Sequence, residues 1–143
     1  CHVHEKFSVE AIVKLKSEHP EAVVMAHLEC KAPVLAVADV KGSTATMLQY
    51  AEKHPEIKEY IIATEAGILH ELERNCPNVI FYPVPPEVSE GGVGCSCNEC
   101  EYMKMNTLKK IYNALKFGWP TVEVAPEIAK KAVKPIEKML SLS

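Results

Sequence analysis

The chain has 143 residues, 48% hydrophobic and 24% charged, a balance suited to one globular domain with a real buried core. Its formal charge of -3, with lysines scattered among acids, leaves no basic stripe and argues against a nucleic-acid partner. No apolar run approaches the roughly 20 residues of a membrane helix, and no charged n-region leads into an apolar h-region, so a soluble cytoplasmic protein without a membrane partner is expected.

In chain order, apolar residues at Phe7, Val9, Ile12, Val13 and Leu15 recur at helical spacing, with Ser8 able to cap and Glu10 in the first turn. His19-Pro20 ends that helix. Ala22 to Ala26 is a short continuous apolar run, the pattern of a strand buried on both faces of a parallel sheet, and it stops at His27-Leu28-Glu29-Cys30. Pro33 to Ala38 reads as a short helix closed by Asp39 and Gly42. Ser43 or Thr44 then caps a helix through Met47, Leu48 and Ala51 to about Lys53. After the break at Pro55, Tyr60 to Ala63 is a second buried strand, Glu65-Ala66-Gly67 its turn, and Ile68 to Arg74 a helix with Leu69 and Leu72 inward. Asn78 to Tyr82 is a third strand, running into Pro83, Pro85 and Pro86.

Strands alternating with helices at this spacing predict an α/β fold, a three-layer αβα sandwich with a short parallel sheet, followed by C-terminal helices. Pro83 to Asn98 should be a long surface loop that brings Cys95, Cys97 and Cys100 to a helix start. That helix is expected over Glu101 to Phe117, with Met105, Leu108, Ile111, Tyr112 and Leu115 at helical spacing, and ends at Gly118-Trp119-Pro120. Val122 to Val124 is a candidate short strand. Pro126 opens a last helix through Ile128, Val133, Ile136 and Leu140, which Pro135 should kink or divide. These terminal helices have the look of a tail that packs on a neighbouring body. The chain opens on Cys1 rather than Met, which reads as processing or as a piece cut from something longer.

Four constellations could carry chemistry. Three thiols between Cys95 and Cys100, entered through Gly91, Gly92 and Gly94, present sulfur at a helix start, where the helix dipole favours the ionised form. Thiolates suit zinc, copper(I) or iron–sulfur clusters. A zinc site usually takes two CxxC-like pairs, and only Cys97-x-x-Cys100 has that form; a thioredoxin-type pair would follow the first strand rather than the third. A disulfide framework belongs to small secreted domains with little core, and surplus thiols are the bland alternative. Cys30 and Cys76 stand isolated. His27-Leu28-Glu29 puts an imidazole and a carboxylate at the carboxyl end of the first strand, where open parallel sheets bind ligands; a hydrogen-bonded loop is the plainer reading. Gly42-Ser43-Thr44 offers backbone N–H groups and hydroxyls for an anion at a helix start, or simple capping. Cys1-His2-Val3-His4 could ligate metal or be a strand end with surface histidines.

Taken in order, Cys1-His2-Val3-His4-Glu5-Lys6-Phe7, His27-Leu28-Glu29, Gly42-Ser43-Thr44, Ala63-Thr64-Glu65-Ala66-Gly67, and Cys97-x-x-Cys100 followed by Tyr102-Met103-Lys104-Met105-Asn106 resemble the motifs of the quinolinate synthase family, iron–sulfur enzymes of NAD biosynthesis. The one departure is Leu28, where the family usually has Pro. The resemblance implies a transferase that condenses iminosuccinate with dihydroxyacetone phosphate to quinolinate, water and phosphate, using a [4Fe–4S] cluster with one open iron as Lewis acid. It implies that Cys1 and Cys100 are metal ligands and that the remaining cluster cysteine lies in sequence this chain does not contain. Glu29 and His27 would be catalytic, and His27, Leu28, Glu29, Ser43 and Thr44 would bind substrate. L-aspartate oxidase or another source of iminosuccinate would be the functional partner.

On this reading residues 1–100 are the third αβα domain with its cluster-binding loop. Residues 101–143 are helices that pack on an absent first domain, and the chain alone is folded but inactive. The competing expectation is a stand-alone thiol-rich αβα module that binds metal or exchanges disulfides without catalysis.

Overall fold

The computed structural model describes residues 1–86 and 98–142. The Ser8 hydroxyl accepts the Ala11 N–H at 3.2 Å and starts helix α1, Val9–Glu18. The apolar run then extends as β1, Val23–His27, followed by α2, Ala32–Val37, with Pro33 in its first turn. A strand that the pattern does not announce comes next, β2, Val40–Gly42. Ser43 caps α3, Thr44–Lys53, by accepting the Thr46 N–H; β3, Glu59–Ala63, α4, Ile68–Asn75, and β4, Ile80–Pro83, complete the alternation.

The strands form one parallel sheet of four in the order β2-β1-β3-β4. On one face Ile12 of α1 and Val34 of α2 pack on Val24, Ala26, Ile61 and Ala63. On the other, Met47 and Ala51 of α3 and Leu72 of α4 pack on Met25, Tyr60, Ile62 and Phe81. Residues alternate between the two clusters along β1 and β3, as a period of two requires when both faces are covered. The expected three-layer αβα sandwich is therefore the fold.

The strand order reverses between β1 and β3. In open parallel sheets that switch point opens a crevice beyond the carboxyl ends of the strands, and it is the usual ligand site. Register places Gly42 beside His27 and Ala63 beside Ala26, so the chain leaves all three strands at one edge.

Four expectations need correction. Asp39 does not close a helix. Its N–H donates to Val24 O at 2.9 Å and its carboxylate accepts the Val24 N–H at 2.8 Å, which opens the pairing that β2 continues. The helix expected over Glu101 to Phe117 is two, α5, Glu101–Lys104, and α6, Leu108–Phe117, because the Thr107 hydroxyl takes the Lys110 N–H at 3.2 Å as a fresh cap. Val122 to Val124 is irregular rather than a strand. Pro135 does not divide α7, Pro126–Leu140.

The described residues form two compact units, Cys1–Met105 and Asn106–Ser143. In the second, α6 ends at Gly118 with φ 62°, a left-handed position that suits glycine, and neither α6 nor α7 holds a buried residue. Among the described residues no helix is long and apolar enough to cross a membrane.

Candidate metal and substrate site

The N-terminal segment reaches the sheet edge because Val3 and Phe7 are buried in the first core cluster. Between them a 3₁₀ turn, His4–Lys6, closes with the His4 N–H on Cys1 O at 3.0 Å and the Lys6 N–H on Val3 O at 3.2 Å. Cys1 is thereby held beside Glu29 at the carboxyl end of β1, and His4 points inward at 6% exposure.

His4 joins two strand ends. Its Nδ1 lies 2.9 Å from Glu29 Oε2, past β1, and its Nε2 lies 3.0 Å from Thr64 Oγ1, past β3. An ionised carboxylate can only accept, so Nδ1 donates to Glu29, and in the neutral ring Nε2 accepts the Thr64 hydroxyl proton. The His27 ring stacks on His4 with centroids 4.2 Å apart. His27 Nδ1 accepts the Glu29 N–H at 3.2 Å, which leaves Nε2 as the N–H of the neutral ring.

The electrostatics follow from these contacts. The Cys1 amine donating at 3.0 Å, then the His4 ring, hold the Glu29 carboxyl down at about 2, and Glu29 in turn raises the Cys1 amine. A peptide N–H at Cys1 would keep the hydrogen bond without the charge. Partial burial, followed by the neighbouring His4 ring, lowers His27 below the ordinary imidazole value and favours its neutral form. The site thus pairs a carboxylate with a neutral imidazole N–H, fit to donate a hydrogen bond.

The sulfurs separate into two kinds. Cys1 Sγ, Cys100 Sγ and a ring nitrogen of His2 lie within 4.8 Å of one another, and Cys1 Sγ also lies within 4.8 Å of a His4 nitrogen and a Glu29 oxygen. The His2 ring meets Tyr102 edge-on at 5.8 Å, a second link between the first residues and α5. Two thiolates with an imidazole are soft to intermediate donors, a set that fits an iron–sulfur cluster better than magnesium or calcium. Cys30 and Cys76 sit in opposite core clusters. Burial pushes Cys30 up to about 11 and also raises Cys76, so both behave as apolar packing. Cys95 and Cys97 lie outside the described residues.

Of the residues singled out from sequence, Cys1, His27, Glu29 and Cys100 gather at the crevice. Leu28 stands 61% exposed at the turn between His27 and Glu29. Ser43 and Thr44 open α3 from the same sheet edge, Gly42 being in register with His27. The Ser43 hydroxyl caps the helix and shares a hydrogen bond with the Thr46 hydroxyl at 3.1 Å, as the plainer reading of that triplet has it, while the Thr44 side chain is exposed at the same helix start. Sequence reasoning gave no role to Thr64, Glu65 or Asn98. The contacts that bring them to the site, His4 with Thr64, Cys100 with Glu65 and Ala66 with Asn98, span 32 residues or more, and for Thr64 and Glu65 the one local signal was polar residues just past an apolar strand end at the switch point.

The fold and this group of side chains define an α/β sheet domain with a thiol-, imidazole- and carboxylate-bearing edge. A sequence model described as quinolinate synthetase A protein matches residues 1–141. Proteins named quinolinate synthase are similar throughout: one from Prochlorococcus marinus (strain MIT 9303) is 46% identical over 142 residues, which is 99% of this chain and 41% of that protein. Those from Nostoc sp. (strain PCC 7120) and Chloroherpeton thalassium are 43% and 42% identical over the whole chain, which spans 42% and 43% of their lengths. The chain belongs to the quinolinate synthase family, and it spans about two fifths of the length of these relatives.

Proposed function

We propose that the chain is the C-terminal part of a quinolinate synthase, in which Cys1 and Cys100 hold two positions of a [4Fe–4S] cluster. Residues 1–100 act as its third αβα domain, and residues 101–143 pack on its first. The observation that carries the reading is the approach of the Cys1 and Cys100 sulfurs to within 4.8 Å beside His27 and Glu29. Residues 99 positions apart in sequence meet there, at the crevice where this sheet order favours a ligand.

The proposed reaction condenses iminosuccinate with dihydroxyacetone phosphate and releases water and phosphate. A bound four-iron cluster with an iron not taken by cysteine would supply a Lewis-acid position. The chain's own side chains divide the rest of the work. Glu29, oriented by the His4 Nδ1–H, takes a substrate proton on its other oxygen. His27, neutral with its proton on Nε2, donates a hydrogen bond to a substrate oxygen as negative charge grows there. The start of α3, with Ser43 and Thr44, receives a carboxylate or phosphate oxygen. Leu28 lines the substrate side of the turn. The iminosuccinate would come from L-aspartate oxidase or an equivalent source, in a cytoplasm that keeps the thiols reduced.

The test is made in the longer enzyme, produced anaerobically. Cys100→Ser should abolish the visible cluster absorption and quinolinate formation, whereas Cys76→Ser should leave both. Retention of the absorption in Cys100→Ser would remove the ligand assignment. Quinolinate formed by the 143-residue chain alone, after reconstitution with iron and sulfide, would overturn the division into domains.

A further inference from the structure

The place of Cys100 is set from the turn that follows β3. Glu65, two residues past β3 and 9% exposed, splits its carboxylate between two backbone donors: Oε2 accepts the Gly67 N–H at 2.7 Å, and Oε1 accepts the Cys100 N–H at 3.2 Å. The Ala66 N–H donates to Asn98 O at 2.8 Å, and the Asn98 side-chain amide donates to Val84 O. Val84 is itself bound to β3 through its N–H on Ile62 O at 2.9 Å. Residues 98 to 100 are therefore fastened to the β3–α4 turn by two bonds and to Val84, past β4, by a third. A carboxylate this buried is costly unless its oxygens are occupied, and the two N–H groups occupy one each.

We propose that Glu65 is a positioning residue that fixes the Cys100 sulfur next to that of Cys1, by bridging the Cys100 and Gly67 N–H groups. The inference rests on the proposed cluster role of Cys1 and Cys100, but it concerns where the sulfur stands rather than what it holds. No shorter or neutral side chain does the same. Asp lacks the reach to span both donors, and Gln offers one acceptor oxygen where two N–H groups need one each. Gly67 belongs to the device: a Cβ there would lie 2.7 Å from Glu65 Oε2 and displace the carboxylate.

The experiment uses the full chain with Cys95→Ser and Cys97→Ser, leaving Cys1 and Cys100 as the pair of thiols that approach each other, with Cys30 and Cys76 apart in the two core clusters. The probe is phenylarsine oxide, which bridges two thiols only when they are close, and bridged peptides are identified by mass spectrometry. Bridging of Cys1 to Cys100 should be fast in this background, about tenfold or more slower in Glu65→Ala, and intermediate in Glu65→Gln, because proximity sets the rate. Ala51→Gly, which lowers stability from α3 in the opposite core cluster, should leave bridging unchanged, an outcome that a purely stabilising Glu65 would not give. Background-rate bridging in folded Glu65→Ala overturns the proposal. If that variant does not fold, the near-isosteric Glu65→Gln decides in the same way. Failure of the cluster reading shows separately, as absent visible absorption in the reconstituted longer enzyme whose bridging is intact.

Discussion

Ile61 in β3 and Leu115 in α6 are both apolar residues that periodicity assigns to an inner face, yet Ile61 is fully buried and Leu115 is 84% exposed. The difference lies in what surrounds them. β3 is flanked by β1 and β4 and covered on both faces by helices, so each apolar residue there meets a partner layer. In the second unit α6 and α7 hold no buried residue, and Leu108, Leu115, Trp119 and Ile136 remain more than half exposed. An amphipathic pattern states which face wants cover; it does not supply the cover. The proposed place of these helices against another part of a longer enzyme would supply it.

The comparison breaks most directly on a pair of truncations. Ile61→Ala removes buried methyl groups from the centre of the sheet and should cost about 2–5 kcal/mol, lowering the thermal midpoint of the first unit by roughly 10 °C. A loss below about 1 kcal/mol in a denaturant titration would mean that the sheet is not the chain's stable core.

Glycine-to-alanine changes sharpen it next, because one chemistry acts by two routes. At Gly42 a new Cβ would lie 2.6 Å from Thr46 Cβ and Cγ2, so the start of α3 must shift, at about 1–3 kcal/mol. At Gly118 nothing lies within 4 Å, and only the positive φ resists, at about 1 kcal/mol of local helix-end stability. The first should lower the midpoint of the sheet unit in urea. The second should show only as fraying of α6 by hydrogen exchange. Smaller again is Leu28→Pro. The Cys30 N–H donates to His27 O at 2.9 Å, which makes Leu28 the second residue of a tight turn, a position that suits proline. The substitution should stabilise the first unit by about 0.4–1 kcal/mol, and destabilisation would show that the Leu28 N–H is needed.

What the sequence made legible divides along the same line. Runs such as Val24-Met25-Ala26 and Tyr60-Ile61-Ile62 declare strands because both faces are covered, and Ser8 and Ser43 declare helix starts because a hydroxyl there takes an orphan N–H. β2 stayed hidden because only Gly42 of its three residues is buried and its first pairing is made by Asp39, a residue that local pattern reads as a breaker. The break at Thr107 stayed hidden because apolar spacing continues across it, and only the hydroxyl marks the new cap. At the site, His27 and Glu29 could be named from residue type and place, and Cys1 and Cys100 from the resemblance of their motifs. Glu65 could not, because its partner Cys100 lies 35 residues away and the bond is to backbone, which leaves no trace in residue identity.

The smallest expected effect tests the comparison at its weaker end. Leu115→Ala in this chain removes a side chain that is 84% exposed, so there is little buried area to lose, and alanine slightly favours the helix. Stability should change by less than about 0.5 kcal/mol, the range of ordinary surface substitutions. In the longer enzyme the same change should cost about 2 kcal/mol or more if the face is covered there, since a buried leucine contributes on that scale. Urea midpoints of the two proteins, each with and without the substitution, give the answer directly. Equal, near-zero costs in both would mean that the α6 face is solvated in the whole protein too, and the proposed packing of residues 101–143 on another domain would have to be abandoned for Leu115.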